Sequence, residues 1–249
     1  MTVCTHCSTI VLRVALKFPF NSHFNSPLLI MCYRLFIKDD LDAITSEELE
    51  EAIDALPEWR REKALRFKHE QGRKECAYSY LLLCQALREV YGITEQPQFS
   101  IGEHGKPSLV FDASPHGNSQ LSIANCQFND PPVSGIHFNL SHCKSAIACV
   151  VAPFAVGVDI ERIGRYDEAL ARHVLNDQEF STVQQASDPQ LAFTRYWTQK
   201  EAIVKLTGRG IDDDLKNILL KYKDVALRTE EYPDEGYVLT VASYTSKTV

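Results

Sequence analysis

A segment in the C-terminal third most constrains what this chain can fold into. Residues 193–207 contain neither proline nor glycine, and Gly208 follows them directly, which predicts a helix ended by a glycine cap. Glu201 and Lys205 are four residues apart and share one face of this helix, and Trp197 precedes Glu201 by one turn. Trp197 is most simply a core residue. Taken alone, the segment is typical of a solvated helix that carries a weak surface ion pair.

A second segment upstream gives that ion pair another interpretation. Residues 157–161, Gly-Val-Asp-Ile-Glu, are mainly apolar and partly β-branched, so we predict a strand on which Asp159 and Glu161 point to the same face. At a sheet edge both carboxylates are solvated, whereas on a buried face they repel each other unless a cation compensates them. Magnesium is the natural candidate, because it binds one or two carboxylates, water and substrate phosphates. Glu201 then supplies a third carboxylate or a general base, and Lys205 lies near the phosphate oxygens.

Composition excludes several classes of protein. The chain has 249 residues, 45% hydrophobic and 24% charged, as is ordinary for a soluble globular protein, and its net charge of −7 argues against a general nucleic-acid binder. It has no run of the ~18 apolar residues that a membrane helix requires. Eight scattered cysteines favour reduced thiols over a disulfide scaffold. We therefore expect a cytoplasmic protein with no nucleic-acid or membrane partner.

The order of predicted elements indicates an α+β protein with two halves of similar make-up. We expect residues 1–30, which contain no acidic residue, to be a disordered or spurious N-terminal extension before a natural start at Met31. The N-terminal half is then 31–134, with a loop or insertion at 112–134, and the C-terminal half is 135–249. Predicted strands are 32–37, 97–101, 136–142, 146–152, 155–160 and several within 217–243. Predicted helices are 45–55, 57–69, 73–90, 167–175, 177–186 and 190–207.

Further polar groups are suited to an anionic ligand. Ser141 and His142 lie at the end of a predicted strand and can donate hydrogen bonds to a phosphate. A Ser-His hydrolase is disfavoured, because adjacent residues rarely act as nucleophile and base, and a G-x-S-x-G motif is absent. Lys106 lies in a stiff Gly-Lys-Pro turn, where it is either an ordinary turn residue or well placed to meet an anion. Arg60 and Lys63 share a helix face on which they either grip a phosphate or form part of a solvated, charged surface.

These motifs together resemble those of the 4′-phosphopantetheinyl transferase superfamily, in its larger Sfp-like class. The resemblance depends on four segments in order over residues 57–210. They are Gly-Lys-Pro at 105–107, Phe-Asn-Leu-Ser-His at 138–142, Gly-Val-Asp-Ile-Glu at 157–161 and Trp-Thr-x-Lys-Glu-Ala-x-x-Lys at 197–205. The resemblance implies a pseudo-dimer of two α+β halves in one chain, with the active site in the cleft between them. It also implies Mg²⁺-dependent transfer of 4′-phosphopantetheine from coenzyme A to a serine of an acyl or peptidyl carrier protein, releasing adenosine 3′,5′-bisphosphate.

The resemblance also implies roles for individual residues. The metal ligands are Asp159, Glu161 and Glu201, and the catalytic residues are Glu201, as the base, and Lys205. The coenzyme A contacts are Arg60, Lys63, Lys106, Ser141, His142 and Lys205. A monomer suffices for such a site. The alternatives are a non-catalytic module that binds coenzyme A or a nucleotide, and a magnesium-dependent phosphohydrolase. For the geometry, we expect Glu201 to face the strand of Asp159 and Lys205 to reach toward the half that carries Lys106.

Overall fold

The computed structural model describes residues 33–110, 135–164, 166–210 and 215–245. The predicted extension at 1–30 and the predicted loop at 112–134 lie outside the described residues. The strands are β1 (Arg34–Lys38), β2 (Gln98–Ile101), β3 (Pro107–Val110), β4 (His137–His142), β5 (Ile147–Ala152), β6 (Val156–Arg162), β7 (Val225–Tyr232) and β8 (Tyr237–Tyr244). The helices are α1 (Ser46–Asp54), α2 (Glu58–Leu65), α3 (Glu70–Tyr91), α4 (Glu168–Val174), α5 (Asp177–Gln185), α6 (Pro189–Thr207) and α7 (Ile218–Lys221). The predicted α+β class is confirmed.

Local capping signals explain where several helices begin and end. Thr45 and Glu48 form a capping box at the start of α1, where each side chain accepts a hydrogen bond from the other residue's backbone N–H, and the predicted helix over 45–55 begins there. Gly92 ends α3 at φ 68° and Gly208 ends α6 at φ 67°, a left-handed conformation that glycine adopts without steric cost. Helix α6 begins where Asp188 accepts a hydrogen bond from the N–H of Leu191. These ends are encoded locally and agree with the sequence analysis.

Two three-stranded antiparallel sheets form the centre of the protein. The first sheet has the order β1-β5-β4, the second sheet has the order β6-β8-β7, and β2 and β3 form a separate hairpin. Strand β1 precedes the predicted boundary at 134, whereas β4 and β5 follow it, so the first sheet takes strands from both predicted halves. The division at 134 stays a prediction.

The two sheets are packed between helices α3 and α6, and this layering follows from the alternation of side chains along the strands. Helix α3 covers one face of the first sheet, where Ile147 and Cys149 of β5 lie in its core. The opposite face, with Ala148 of β5, packs on Val158 and Ile160 of β6. Because alternate residues of a strand point to opposite faces, the remaining side chains of β6 point away from this core and toward α6, which packs on the far face of the second sheet.

Three elements differ from the sequence predictions. Helix α2 ends at Leu65, before the predicted 69, and a short break separates it from α3. Strand β3 was not predicted, because it has only four residues and begins at a proline. The segment 215–221 is helical, whereas strands were predicted over 217–243; a short apolar run does not distinguish a helix from a strand. None of the helices in the described ranges is long and apolar enough to cross a membrane.

Candidate functional site

Gly157 allows helix α6 to approach strand β6 unusually closely. A Cβ atom added to Gly157 would lie 2.2 Å from the carbonyl oxygen of Ala202 and 2.5 Å from the backbone nitrogen of Leu206. Both are backbone atoms in the last turns of α6, so no rotation of a side chain relieves the clash. Glycine is therefore required here for steric reasons. The close approach holds the C-terminal half of α6 over the face of β6 that carries Asp159 and Glu161.

Asp159 is the buried centre of the site. Its side chain is 2% exposed, and its Oδ1 accepts hydrogen bonds from Lys205 Nζ at 2.6 Å and from Ser141 Oγ at 2.9 Å. Its other oxygen, Oδ2, is buried and has no hydrogen-bond partner among the residues that the structure describes. Oε1 of Glu201 is likewise buried and has no hydrogen-bond partner among the described residues. Buried carboxylate oxygens without partners are costly, which indicates a site built to receive a ligand or cation.

Asp159, Glu161 and Glu201 form what we call the carboxylate cluster. Burial, followed by the neighbouring charge of Asp159, raises the pKa of Glu161 from 4.5 to about 7. The same two causes, in the same order, raise the pKa of Glu201. Both carboxylates are thus close enough to Asp159 to be repelled by it. The expectation that Glu201 faces the strand of Asp159 is confirmed.

Trp197 contacts the cluster in a way that the sequence analysis missed. It packs against the core as predicted, and it stacks on Phe193 with ring centroids 6.3 Å apart. In addition, its Nε1 donates a hydrogen bond to Oε1 of Glu161 at 3.1 Å. The position of Trp197 one turn before Glu201 was the available signal, because that spacing turns it toward the same strand. Trp197 therefore orients one carboxylate of the cluster.

The cluster has the donor chemistry that a hard divalent cation requires. Among the described residues, no three or more His, Cys, Asp or Glu side chains are already arranged to hold a metal ion. The cluster nevertheless offers two buried, unpartnered oxygens and three carboxylates that repel one another. A magnesium ion bound to oxygen ligands relieves both conditions. The residues present therefore fit such an ion.

The lysines near the cluster are arranged differently from expectation. The side chain of Lys205 turns to Asp159 and Ser141 rather than toward the half that carries Lys106. It is Lys106 that reaches across, donating hydrogen bonds to the carbonyl oxygens of Lys205 at 2.6 Å and Leu206 at 3.0 Å. These carbonyls lie at the C-terminal end of α6, where a cation is favourable. Burial lowers the pKa of Lys106.

The remaining predicted residues divide between the edge of the site and helix α2. His142 is exposed at the end of β4, with Nδ1 3.5 Å from Oε2 of Glu75. Arg60 donates a hydrogen bond to the carbonyl of Cys76 at 2.8 Å, and Lys63 is exposed one turn later. The charges of Arg60 and Lys63 both act on the Cys76 thiol, so both lie near the start of α3. In the described ranges, no hydrogen bond or ion pair joins Arg60 or Lys63 to the carboxylate cluster.

Comparison with known proteins gives consistent matches. The model of the 4′-phosphopantetheinyl transferase superfamily matches residues 155–242, which include the whole carboxylate cluster. A 4′-phosphopantetheinyl transferase of Bacillus subtilis is 25% identical over 205 residues, 81% of each chain. The transferase Sfp of Bacillus subtilis strain 168 is 22% identical over 204 residues, 81% of this chain and 82% of Sfp. The transferase gsp of Aneurinibacillus migulanus is 31% identical over 134 residues, 53% of this chain and 47% of gsp.

The α+β fold, the cluster and these matches together define an enzyme that transfers phosphopantetheine. The family match and the curated relatives support the 4′-phosphopantetheinyl transferase superfamily, and its larger Sfp-like class, as the family that this chain resembles.

Proposed function

We propose that this enzyme transfers 4′-phosphopantetheine from coenzyme A to a serine of an acyl or peptidyl carrier protein in the cytoplasm, with Mg²⁺, and releases adenosine 3′,5′-bisphosphate. The observation that carries the proposal is the meeting of three carboxylates and Lys205 between β6 and α6, inside the segment that matches the superfamily. Phosphoryl transfer needs charge neutralisation, positioning and a base, and little covalent chemistry by the protein. Carboxylates, a lysine and a metal ion provide those parts.

The proposed architecture is a monomeric pseudo-dimer of residues 31–134 and 135–249, with the substrate between the halves. The reach of Lys106 from the first half to the C-terminal carbonyls of α6 in the second half supports it. A ligand bound beside Lys106 therefore lies near both halves.

Asp159, Glu161 and Glu201 would hold the magnesium ion, which when bound would supply positive charge to neutralise the pyrophosphate oxygens of coenzyme A. Glu201 accepts the proton of the carrier serine while the Oγ of that serine forms a bond to the phosphorus of the phosphopantetheine group. The phosphoanhydride bond breaks, and its electron pair leaves on adenosine 3′,5′-bisphosphate. The raised pKa of Glu201 makes its carboxylate a stronger base than a solvated glutamate. Lys205, 28% exposed, presents its ammonium group beside Asp159, where transferring oxygens gain charge.

Coenzyme A is proposed to contact a set of residues outside the cluster: Arg60, Lys63, Lys106, Ser141, His142 and Lys205. Arg60 and Lys63 suit the 3′-phosphate. The guanidinium of Arg60 is held over the rings of Trp59 and Tyr80, so it is oriented before ligand binds. The exposed imidazole of His142 is accessible to a phosphate.

One experiment tests the proposal and separates it from the alternatives. The protein is incubated with coenzyme A, Mg²⁺ and apo carrier proteins from fatty-acid, polyketide and peptide synthesis, and each carrier is weighed by mass spectrometry. A gain of one phosphopantetheine group on a serine supports transfer. Unchanged carriers with cleaved coenzyme A point to a phosphohydrolase, and binding of coenzyme A without either change points to a non-catalytic module.

A further inference from the structure

Strand β6, which carries Asp159 and Glu161, lies at the edge of the second sheet. It pairs with β8 on one side, and the backbone N–H groups of Val158 and Ile160 point to the other side. No strand of the second sheet pairs with that side in the described ranges. Side chains of β4, in the first sheet, accept these hydrogen bonds instead. Asn139 Oδ1 accepts from the N–H of Val158 at 3.0 Å, and Ser141 Oγ accepts from the N–H of Ile160 at 3.2 Å.

Asn139 and Ser141, which we call the polar seam, occupy an otherwise apolar interface. They are alternate residues of β4, so they share one face, and they are 9% and 5% exposed. Their neighbours across the first sheet are Val150 and Ala148, whose side chains belong to the apolar core between the sheets. A buried polar side chain in such a place is costly unless it makes hydrogen bonds. Both side chains of the seam form hydrogen bonds with backbone N–H groups of β6, the strand that carries Asp159 and Glu161.

The seam binds backbone N–H groups on both sides of Asp159. The N–H of Ile160 belongs to the peptide group that directly follows Asp159, and the N–H of Val158 belongs to the peptide group between Gly157 and Val158, one residue before the group that precedes Asp159. The two hydrogen bonds therefore restrain the strand on either side of Asp159. Ser141 also donates to Oδ1 of Asp159 and accepts from Lys205 Nζ at 2.7 Å. Its hydroxyl therefore makes three hydrogen bonds within the described structure. Asn139 has contact with the backbone of β6 and with none of the cluster side chains in the hydrogen bonds that the structure describes.

We propose that Asn139 is a positioning residue for the transfer reaction: by accepting the N–H of Val158, it closes the edge of β6 and sets the position of Asp159. The inference depends on the proposed function for its catalytic part, and on the hydrogen bonds of the seam for its structural part. It assigns Asn139 a role that concerns the cluster and not the binding of coenzyme A. Its effect is therefore expected in kcat and in metal affinity, and not in KM for coenzyme A.

The test compares Asn139→Leu, which keeps the shape and loses the acceptor, with Leu140→Ala. Leu140 is the next residue of the same strand and packs against the other core, under α3, so its truncation loosens β4 without touching the seam. Amide hydrogen exchange is measured on both full-length variants. We expect the Val158 amide to lose protection in Asn139→Leu but to keep it, relative to the amides of β5, in Leu140→Ala. Equal loss in both variants would overturn the structural part.

The second readout is functional and uses the same pair of variants. For Asn139→Leu we expect kcat to fall at least about tenfold while KM for coenzyme A stays within about twofold. Binding of Mn²⁺, a spectroscopic probe for the magnesium site, is expected to weaken about tenfold, because groups that orient ligands affect metal affinity at this scale. Leu140→Ala should change kcat and the affinity for Mn²⁺ by no more than about twofold each, at a comparable loss of melting temperature. Equal falls in the two variants would overturn the positioning role.

A second variant and two measurements that do not depend on transfer activity also test the role of Asn139. Should Asn139→Leu fail to fold, Asn139→Ala removes the same acceptor without adding bulk, and the same expectations apply to it. If the wild-type protein transfers nothing to any carrier, the proposed function fails. The exchange of the Val158 amide and the affinity for Mn²⁺ still decide whether Asn139 sets the carboxylate cluster.

Discussion

Nζ of Lys205 lies 2.6 Å from Oδ1 of Asp159 and joins helix α6 to strand β6 by an ion pair whose acidic partner is 2% exposed. A carboxylate that is this deeply buried requires a compensating charge, and Lys205 provides it in the described structure. The pair also connects the two segments that the sequence analysis singled out. Its energetic coupling is therefore open to direct measurement.

Lys205→Met should destabilise the protein by about 1–3 kcal/mol, because it leaves the Asp159 carboxylate buried beside an apolar group; partial exposure of Lys205 keeps the loss below that of a fully buried pair. The double variant Lys205→Met, Asp159→Asn should be less destabilised than the sum of the single changes, since no uncompensated charge remains. Urea unfolding of the four proteins measures the coupling. Strict additivity would show that the pair contributes nothing.

Glu201→Gln should reduce transfer to carrier protein by about two orders of magnitude or more, because the amide neither accepts the serine proton nor binds a cation as a carboxylate does. Asp159→Asn should have a similar effect. The rate of mass gain of the carrier is the measurement, and a retained melting transition shows that the fold persists. Glu168→Gln, at an exposed i,i+4 pair with Arg172 on α4, is the control and should leave the rate unchanged. Near wild-type rates for both site variants with several carriers would defeat the assignment.

The raised pKa of Glu161 predicts a stability that falls with pH in the absence of metal. Between about pH 4.5 and 7, the folded state holds a proton on Glu161 that the unfolded state has released, so the free energy of unfolding decreases as pH rises. The stabilisation is fully present below pH 4.5 and lost above about pH 7, and after allowance for partial exposure we expect a change on the order of 2 kcal/mol. Glu201 acts in the same direction.

Urea unfolding in EDTA at a series of pH values measures this dependence. Glu161→Gln should have a flatter profile over the same range, because its amide does not titrate. A wild-type profile no steeper than that of Glu161→Gln would show that burial does not raise the pKa of this carboxyl.

Gly157→Ala should destabilise the protein by about 3 kcal/mol or more and abolish transfer, because the added methyl group meets the backbone of Ala202 at 2.2 Å and must push α6 away from β6. Gly164→Ala is the control, since its Cβ would meet only the carbonyl of Arg162, at an ordinary 3.7 Å. Thermal melting and the carrier assay measure the two effects. A Gly157→Ala protein as stable and active as Gly164→Ala would contradict the close approach.

Lys63→Ala should weaken the binding of coenzyme A more than that of 3′-dephospho-coenzyme A, because its proposed partner is the 3′-phosphate. Loss of one charge-assisted contact corresponds to about 1.5–3 kcal/mol. Calorimetric titration with both ligands provides the comparison. Lys68→Ala, an exposed lysine between α2 and α3, controls for the general loss of positive charge. Equal weakening of the two ligands by Lys63→Ala would remove this residue from the 3′-phosphate.

Elements with strong local signals could be predicted from the sequence. The capping box of Thr45 and Glu48 and the glycine ends of α3 and α6 depend on residues within one turn of each other, so no distant contact is needed to set them. Strand β3 and helix α7 could not be predicted in the same way. Each is four residues long; β3 is mostly exposed and is set by its pairing with β2, whereas α7 is set by the burial of Ile218 in the core.

Some features of the candidate site could be predicted from the sequence, and others could not. Alternation along a strand is a local property, so the shared face of Asp159 and Glu161 was predictable, as was the shared face of Glu201 and Lys205 on a helix. Three contacts were not predictable: that of Trp197 with Glu161, that of Lys205 with Asp159, and the hydrogen bond from the N–H of Val158 to Asn139. Each joins residues at least 19 positions apart, on different elements.

By itself, the sequence determined the helices with clear caps, the faces on which the four charged residues lie and the resemblance of its motifs to those of the 4′-phosphopantetheinyl transferase superfamily. Only the tertiary structure decided that these faces meet. A methyl group at position 157 would prevent the meeting, and two polar side chains of a neighbouring sheet hold the edge of β6 in place. The physical reason is that charge, hydrogen-bonding capacity and periodicity are properties of a segment, whereas burial and the pKa of Glu161 depend on what the rest of the chain brings near it.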